Sequence, residues 1–279
     1  VVAILATDPA FAFLADRARR VGALVTAFGV DDNPRPDGAD RTVRAVDLKP
    51  ASWGTVASVE TPWGRGRLDV RMPGIFNVLN AVAAIAATGP LDVPLEVALP
   101  ALASVDALPG RMTRIDEGQP FTLVVDFAHT ADSLANVLRE MRARTFGRII
   151  VVFGAAGERD RAKRPEMGRV AATHADFAIL TDEDPRLEDR EAIIADIAAG
   201  AIAAGAREND CFVRVPDRRE AVRAAVRRAE AGDVVVLAGK GHETSIDSAV
   251  DGRPSAMAWD EAEEARAALR LAGYGGSSV

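Results

Sequence analysis

The stretch LTDEDPRLED, from Leu180 to Asp189, packs five acids, one arginine and one proline into ten positions. Aspartate and proline are common in turns, and Pro185 restricts the backbone locally. A turn does not need the mixture of signs, however. Glu183 and Asp184 beside Arg186 could hold an ammonium and a carboxylate together, and a free amino acid carries both. Three other stretches are similarly polar. DFAHTADS (Asp126 to Ser133) offers Asp126 and His129, although Thr130 and Ser133 alone would explain the start of a helix. FGAAGERDRAKRP (Phe153 to Pro165) joins glycines, which admit a close approach, to Arg159, Arg161, Lys163 and Arg164. Glu158, Asp160 and Glu166 interleave those cations, so a solvated helix entry is the default reading of the cluster. AGKGHET (Ala238 to Thr244) lacks the glycine five residues before Lys240 and the Ser or Thr directly after it, so it is not a P-loop. His174 falls between apolar positions on a predicted helix and reads as structural.

These stretches need elements to position them, and short apolar runs supply them. FTLVVDF (Phe121 to Phe127), RIIVVF (Arg148 to Phe153), DFAILT (Asp176 to Thr181), CFVRV (Cys211 to Val215) and DVVVLA (Asp233 to Ala238) read as strands covered on both faces. Leu134, Val137, Leu138 and Met141 mark one helical face between them, and Ile193, Ile194, Ile197 and Ala201 another. Asp217 with Glu220 predicts a capping box, Pro165 suits a first helical turn, and Gly205 and Gly232 mark stops. Alternating strand and helix predicts an α/β fold with a mostly parallel sheet, whose ligands gather at the carboxyl ends of the strands. Four of the five predicted strand ends carry the polar stretches described above.

The region before them alternates apolar runs with turns. VVAILA (Val1 to Ala6) reads as a buried strand, DDNPRPDG (Asp31 to Gly38) as a loop, and PGIFNVLNAVAAIAATG (Pro73 to Gly89) as a glycine-led helix ended by glycine. Pro and Gly in LPGRMTRI (Leu108 to Ile115) put a domain boundary near Gly110. A chain of 279 residues with 48% hydrophobic content can build one large or two modest cores. Forty-one acids against 34 bases give a net charge of −7, which does not support nucleic-acid or membrane binding. Cys211 is the single cysteine, so a disulfide within the chain or a cysteine zinc cluster is excluded. No transmembrane run or signal sequence is evident, and a cytoplasmic location is expected. Opening on a strand without an initiator methionine, the chain reads as cut from something longer.

In order along the chain, GIFNVLNAVAAIA, PGRM, VDFAHTADSL, VFGAAGERDRAKRPEMG, LTDEDPR and AGKGHET resemble blocks of the Mur ligases, ATP-dependent enzymes that add amino acids to the peptidoglycan precursor. The resemblance is strongest to the branch that adds the third residue. It implies that residues 1–110 are the back part of a central ATP-binding domain and residues 111–279 a Rossmann-like C-terminal domain that binds the amino acid. ATP and Mg2+ would be the cofactors, UDP-MurNAc-L-Ala-D-Glu and a free amino acid the substrates, and the protein a monomer. Carried over by matching position, Asn77 and Asn80 lie on the adenine side of ATP and Arg111 at a hinge. Asp126 and His129 help the C-terminal domain close over the nucleotide. Arg159, Glu183, Asp184, Pro185, Arg186, Gly239 and Glu243 form the pocket for the incoming amino acid. No catalytic or metal-ligating residue is assigned within the chain.

Three departures from the family pattern matter. Phe127 and Ala131 stand where the family usually has Tyr and Pro. EDPR at Glu183 to Arg186 replaces the DNPR of diaminopimelate-adding members, so Asp184 brings a negative charge that should attract a terminal ammonium. Ornithine or lysine is therefore favoured, with meso-diaminopimelate close behind because Arg186 could fork onto its second carboxylate. Finally, the family's P-loop and the segment with its carbamylated lysine are missing, so the chain alone is expected neither to hydrolyse ATP nor to ligate. Two alternatives are a ligase similar to folylpolyglutamate synthase, against which the acids Glu183 and Asp184 count, and a non-catalytic amino-acid- or nucleotide-binding protein of the same fold.

Overall fold

The computed structural model describes residues 1–31 and 36–275, so residues 32–35 of the expected Asp31 to Gly38 loop lie outside the described residues. The chain divides into two compact units, Val1–Ala107 and Leu108–Val279.

In the first unit, β1 (Val2–Leu5), β2 (Val25–Val30), β3 (Arg41–Ala51), β4 (Gly54–Thr61) and β5 (Gly64–Val70) form one sheet in that order. The first three strands run parallel, and β4 and β5 are antiparallel to their neighbours. Helix α1 (Phe11–Arg20) links β1 to β2, while α2 (Ile75–Thr88) and α3 (Leu95–Ala103) follow β5. The expected strand at the chain start is present, but only Ile4 within it is buried. Lying at the edge of the sheet among the described residues, β1 has one strand neighbour instead of two. Gly74 precedes α2 at φ +104°, a conformation in which a side chain would be strained, and Gly89 caps its other end. Val78, Val82, Ile85 and Ala86 turn one face of α2 onto Val43, Ala45, Val59 and Leu68 of the sheet.

The second unit holds a six-stranded sheet made of β6 (Thr113–Ile115), β7 (Thr122–Asp126), β8 (Ile149–Phe153), β9 (Phe177–Leu180), β10 (Phe212–Arg214) and β11 (Val234–Ala238). Their spatial order is β10, β9, β8, β11, β7, β6. All pairs are parallel except β6 with β7, as the continuously apolar runs led us to expect. Between the strands run α4 (Ala131–Arg142), α5 (Lys163–His174), α6 (Arg190–Ala203) and α7 (Arg218–Arg228). A hairpin of β12 (Ser245–Val250) and β13 (Arg253–Ala258) and a last helix, α8 (Glu261–Leu271), complete the unit. On one face, Leu123, Val125, Ile150, Val152, Val235 and Leu237 pack with Val222 and Ala225 of α7 and Leu269 of α8. Helix α4 turns Leu134, Val137, Leu138 and Met141 inward, and α6 buries Ile193, Ile194, Ile197 and Ala201.

The capping box expected at Asp217 forms by half. Asp217 Oδ1 accepts the Glu220 backbone N–H at 3.0 Å, but the Glu220 carboxylate pairs with Arg223, one helical turn on. Gly205 follows Ala204, the cap of α6, whereas Gly232 belongs to the turn into β11, because α7 has already ended at Arg228.

Returning between β8 and β7, β11 brings four loop-bearing strand ends to one edge of the sheet: Asp126, Phe153, Leu180 and Ala238. The loop after β8 lies against the loop after β9. A Cβ on Gly154 would sit 2.3 Å from the Thr181 carbonyl, and one on Gly157 would sit 2.0 Å from the Pro185 carbonyl. Only glycine admits that approach, and the Gly157 amide uses it to donate to the Asp184 carbonyl at 2.8 Å.

Candidate functional site

Asp126, the last residue of β7, is 4% exposed. Its Oδ2 accepts the Met112 N–H at 2.8 Å and its Oδ1 the Ala128 N–H at 2.9 Å. Burial raises its pKa, and these two bonds and the Arg111 charge oppose the shift. Arg111 is exposed and lies over the Phe127 ring, 4.8 Å from its centroid. His129 places Nδ1 at 2.8 Å from the Phe127 carbonyl, which can only accept. The proton therefore sits on Nδ1, and in neutral His129 Nε2 is the free acceptor. Thr130 and Ser133 form the full capping box of α4, so both the helix-start reading of this loop and its buried acid hold.

The cation cluster after β8 is only partly solvated. Arg159 and Arg161 are exposed, but Lys163 donates to the His129 carbonyl at 2.8 Å and Arg164 is 0% exposed. The default reading of the cluster as a solvated helix entry fails at Arg164. That guanidinium forks onto Glu188 at 2.7 and 2.8 Å and reaches Asp196 at 3.0 Å, long-range partners that make burial tolerable. The Arg164 bond, ahead of every other influence, holds the Glu188 pKa at about 2, below its ordinary 4.5. Folding favours the charged form, so this contribution to stability is complete above about pH 4.5 and drains away as the pH falls towards 2. Acid unfolding followed by circular dichroism should be shallower across that window in a Glu188→Gln variant than in the wild type.

In the loop after β9, Asp182 bonds Arg190, and burial lifts its pKa to about 6 against that pairing. Glu183 is 6% exposed, and its Oε2 has no hydrogen-bond partner. Burial pushes its pKa up, while Lys163, Arg218 and His129 pull it down. It faces Gly239, where a Cβ would lie 3.8 Å from Glu183 Oε2; Gly239 itself is at φ +107°.

Asp184 does not present a free charge to a ligand's ammonium. Its Oδ1 already accepts Lys240 Nζ at 2.8 Å and the Asp247 N–H at 2.9 Å. Lys240, 1% exposed, also pairs with Glu243 Oε2 at 2.7 Å, so one buried ammonium joins the acids of two loops. Pro185 is buried and its carbonyl accepts the Glu188 N–H. Arg186, at φ +55°, donates its N–H to the Asp247 carbonyl at 2.9 Å. Its side chain lines a cavity of about 390 Å3 with Glu158, Asp247, Ser248 and Ser255.

Asp184 and Glu243 thus meet at Lys240, Glu183 faces Gly239, and Asp126 adjoins them through its carbonyl, which accepts the Gly239 N–H; Pro185 and Arg186 continue the same loop towards Asp247. Arg159 sits exposed on the glycine loop. Asn77 and Asn80 lie on α2 of the first unit. Asn77 is buried with its amide donated to the Pro73 carbonyl at 2.8 Å, and Asn80 is exposed. Lys163 was named from the sequence only as part of the cation cluster, and neither Lys240 nor the hairpin residue Asp247 was assigned a place in the site. A lysine three residues before a glutamate at a strand end was the available signal for Lys240, and none pointed to Asp247. Among the described residues no group of three or more His, Cys, Asp or Glu side chains could hold a metal ion, and no helix is long and apolar enough to cross a membrane.

Residues 1–88 match the Mur ligase middle domain and residues 110–241 the Mur ligase glutamate ligase domain. The chain is 50% identical over 238 residues to the UDP-N-acetylmuramyl-tripeptide synthetase of Roseiflexus sp., covering 85% of this chain and 46% of that one. It is 43% identical over 233 residues to the UDP-N-acetylmuramoyl-L-alanyl-D-glutamate--2,6-diaminopimelate ligase of Thermosynechococcus vestitus, covering 83% and 45%. A solved structure of a ligase of that second name superposes with a TM-score of 0.58 at 30% identity, covering 98% of this chain and 53% of that one. The folylpolyglutamate synthase of Mycobacterium tuberculosis shares the fold, with a TM-score of 0.64 at 18% identity and coverage of 82% and 50%. The chain spans about half the length of the curated relatives it matches. With this identity sustained across most of its residues, the chain belongs to the Mur ligase family, whose members are ATP-dependent ligases.

Proposed function

We propose that this chain is the amino-acid-binding part, together with a portion of the ATP-binding part, of a cytoplasmic ligase. That ligase would join a diamino acid to UDP-MurNAc-L-Ala-D-Glu during peptidoglycan synthesis. A carboxylate is a poor electrophile, and ATP would supply the phosphoryl group that turns it into an acyl phosphate. The amine nitrogen of the incoming amino acid then forms a bond to the acyl carbon. The C–O bond to phosphate breaks with its electron pair, and the amine gives up a proton. This chain's share is to hold the amino acid. The sequence contains no P-loop of the family form.

The observation that carries this reading is the meeting of Asp184 and Glu243 at the buried Lys240, at the carboxyl edge of a parallel sheet, with Arg186 two residues beyond Asp184 lining a cavity. Asp184 had favoured ornithine or lysine, but that charge is matched within the chain by Lys240. Arg186, lining the cavity, can still fork onto a carboxylate. We therefore place meso-diaminopimelate first, with lysine and ornithine as the competing substrates. The name of the Thermosynechococcus relative supports the same order.

Proton–nitrogen NMR titration of the chain with each of the three amino acids, using L-alanine as the control, tests the reading. Meso-diaminopimelate should shift the amides of Glu183, Asp184, Arg186 and residues 239–243 at the lowest concentration, and ATP should release no phosphate. Shifts confined to other surfaces, or none with any diamino acid, would refute the pocket. Tighter binding of lysine or ornithine would refute only the order of preference.

A further inference from the structure

Arg218 is the first residue of α7 and Glu261 the first of α8, and their side chains are 1% and 0% exposed. Glu261 receives Arg218 Nε at 2.9 Å and Nη2 at 2.8 Å, and Trp259 Nε1 donates to the same carboxylate at 2.6 Å. This fork matches the two charges, but it uses only part of the guanidinium. Arg218 Nη1 donates to the Asp182 carbonyl at 2.9 Å, and Nη2 also donates to the Ala238 carbonyl at 2.8 Å.

The places of those two carbonyls in the chain give them their meaning. Asp182 immediately precedes Glu183, and Ala238 ends β11 immediately before Gly239. The strands concerned are not neighbours, because β8 lies between β9 and β11. Both strands pair with β8, and no ladder joins them directly. One planar guanidinium spans the two loops of the candidate pocket, held from behind by Glu261 and Trp259. Its charge also lowers the pKa of Glu183, against the burial that raises it.

We propose that Arg218 is a positioning residue of the amino-acid pocket: by grasping the carbonyls of Asp182 and Ala238 together, it fixes the Glu183 to Arg186 loop relative to the Gly239 to Glu243 loop. This rests on reading those loops as the amino-acid pocket. Lysine at position 218 would keep a charge but cannot span Glu261 and both carbonyls, because it lacks the planar fork.

The test uses the same NMR titrations with meso-diaminopimelate, L-lysine and L-ornithine. If the wild-type chain binds none of them, the pocket reading itself is wrong and the positioning role goes with it. If it binds, Arg218→Lys should weaken the affinity about tenfold or more. The double variant Arg218→Met with Glu261→Leu removes both charges together, a change that buried pairs often tolerate. It should melt cooperatively yet lose affinity to the same degree. Val222→Ala, which trims a fully buried α7 side chain, should lower the melting temperature while keeping affinity within about twofold of wild type. A folded double variant that binds like wild type would overturn the proposal, as would a Val222→Ala affinity loss matching that of Arg218→Lys. Failure of both Arg218 variants to fold would also overturn it, since Arg218 would then support the whole unit and not its pocket.

Discussion

Replacing Lys240 by methionine should cost the second unit about 3 kcal/mol or more, the range found when one partner of a buried ion pair is removed. Lys240 is 1% exposed and lies within 2.8 Å of Asp184 Oδ1 and 2.7 Å of Glu243 Oε2. Without the ammonium, the buried Asp184 carboxylate keeps the Asp247 N–H but loses its counter-charge. Glu243, more exposed, can turn to water and so leaves the pocket. Stability and amino-acid binding should therefore fall together. Adding Asp184→Asn to Lys240→Met should recover part of the stability, because it removes the charge left behind, but not the binding, because Glu243 stays released. Urea unfolding of the single and double variants measures this. A single variant within about 0.5 kcal/mol of wild type, the usual range for surface changes, would show that Lys240 is not the electrostatic centre of the cluster.

Arg164→Met should cost a similar amount, about 3 kcal/mol, and for a related reason. Its guanidinium is fully buried and ties the start of α5 to Glu188 and Asp196, with a longer bond of 3.3 Å to the Ala156 carbonyl. Through Glu188 it also holds the glycine loop, because Glu188 Oε2 accepts the Glu158 N–H at 3.0 Å. Methionine fills much of the space but takes away the buried partner of Glu188, leaving it the exposed Arg161 at 2.7 Å. The consequence to measure is local as well as global. The Gly157 amide, bonded to the Asp184 carbonyl, should exchange with solvent markedly faster in the variant. Unchanged exchange at Gly157 would mean that the two loops are held by their backbones alone.

Much of this protein can be read without a structure. The five runs of the second unit are strands to within a residue or two at each end; four are buried along nearly their whole length, as a strand covered on both faces must be, whereas β10, at the sheet edge with Arg214 exposed, is not covered on both faces as expected. The helical faces of α4 and α6 were equally plain, since a period near 3.6 leaves its own record. The polar stretches after the strands identified most of the candidate site for the same reason, since strand ends are where a parallel sheet exposes its loops. The β12–β13 hairpin was harder to see. Its sequence, from Ser245 to Ala258, mixes polar and small residues with few apolar ones, so no alternation stands out.

By itself, the sequence determined the fold class, the order of the elements and the loops that could bind an amino acid, because propensity and periodicity act between residues close along the chain. Tertiary structure alone decided what the charges in those loops do. Asp184 meets Lys240 across 56 positions, Arg164 meets Glu188 across 24, and Arg218 meets Glu261 across 43. Whether a carboxylate faces a ligand or is already matched by its own chain depends on which distant cation the sheet order brings beside it. That order followed from β11 entering between β8 and β7, a choice made by packing and not by any neighbouring residue.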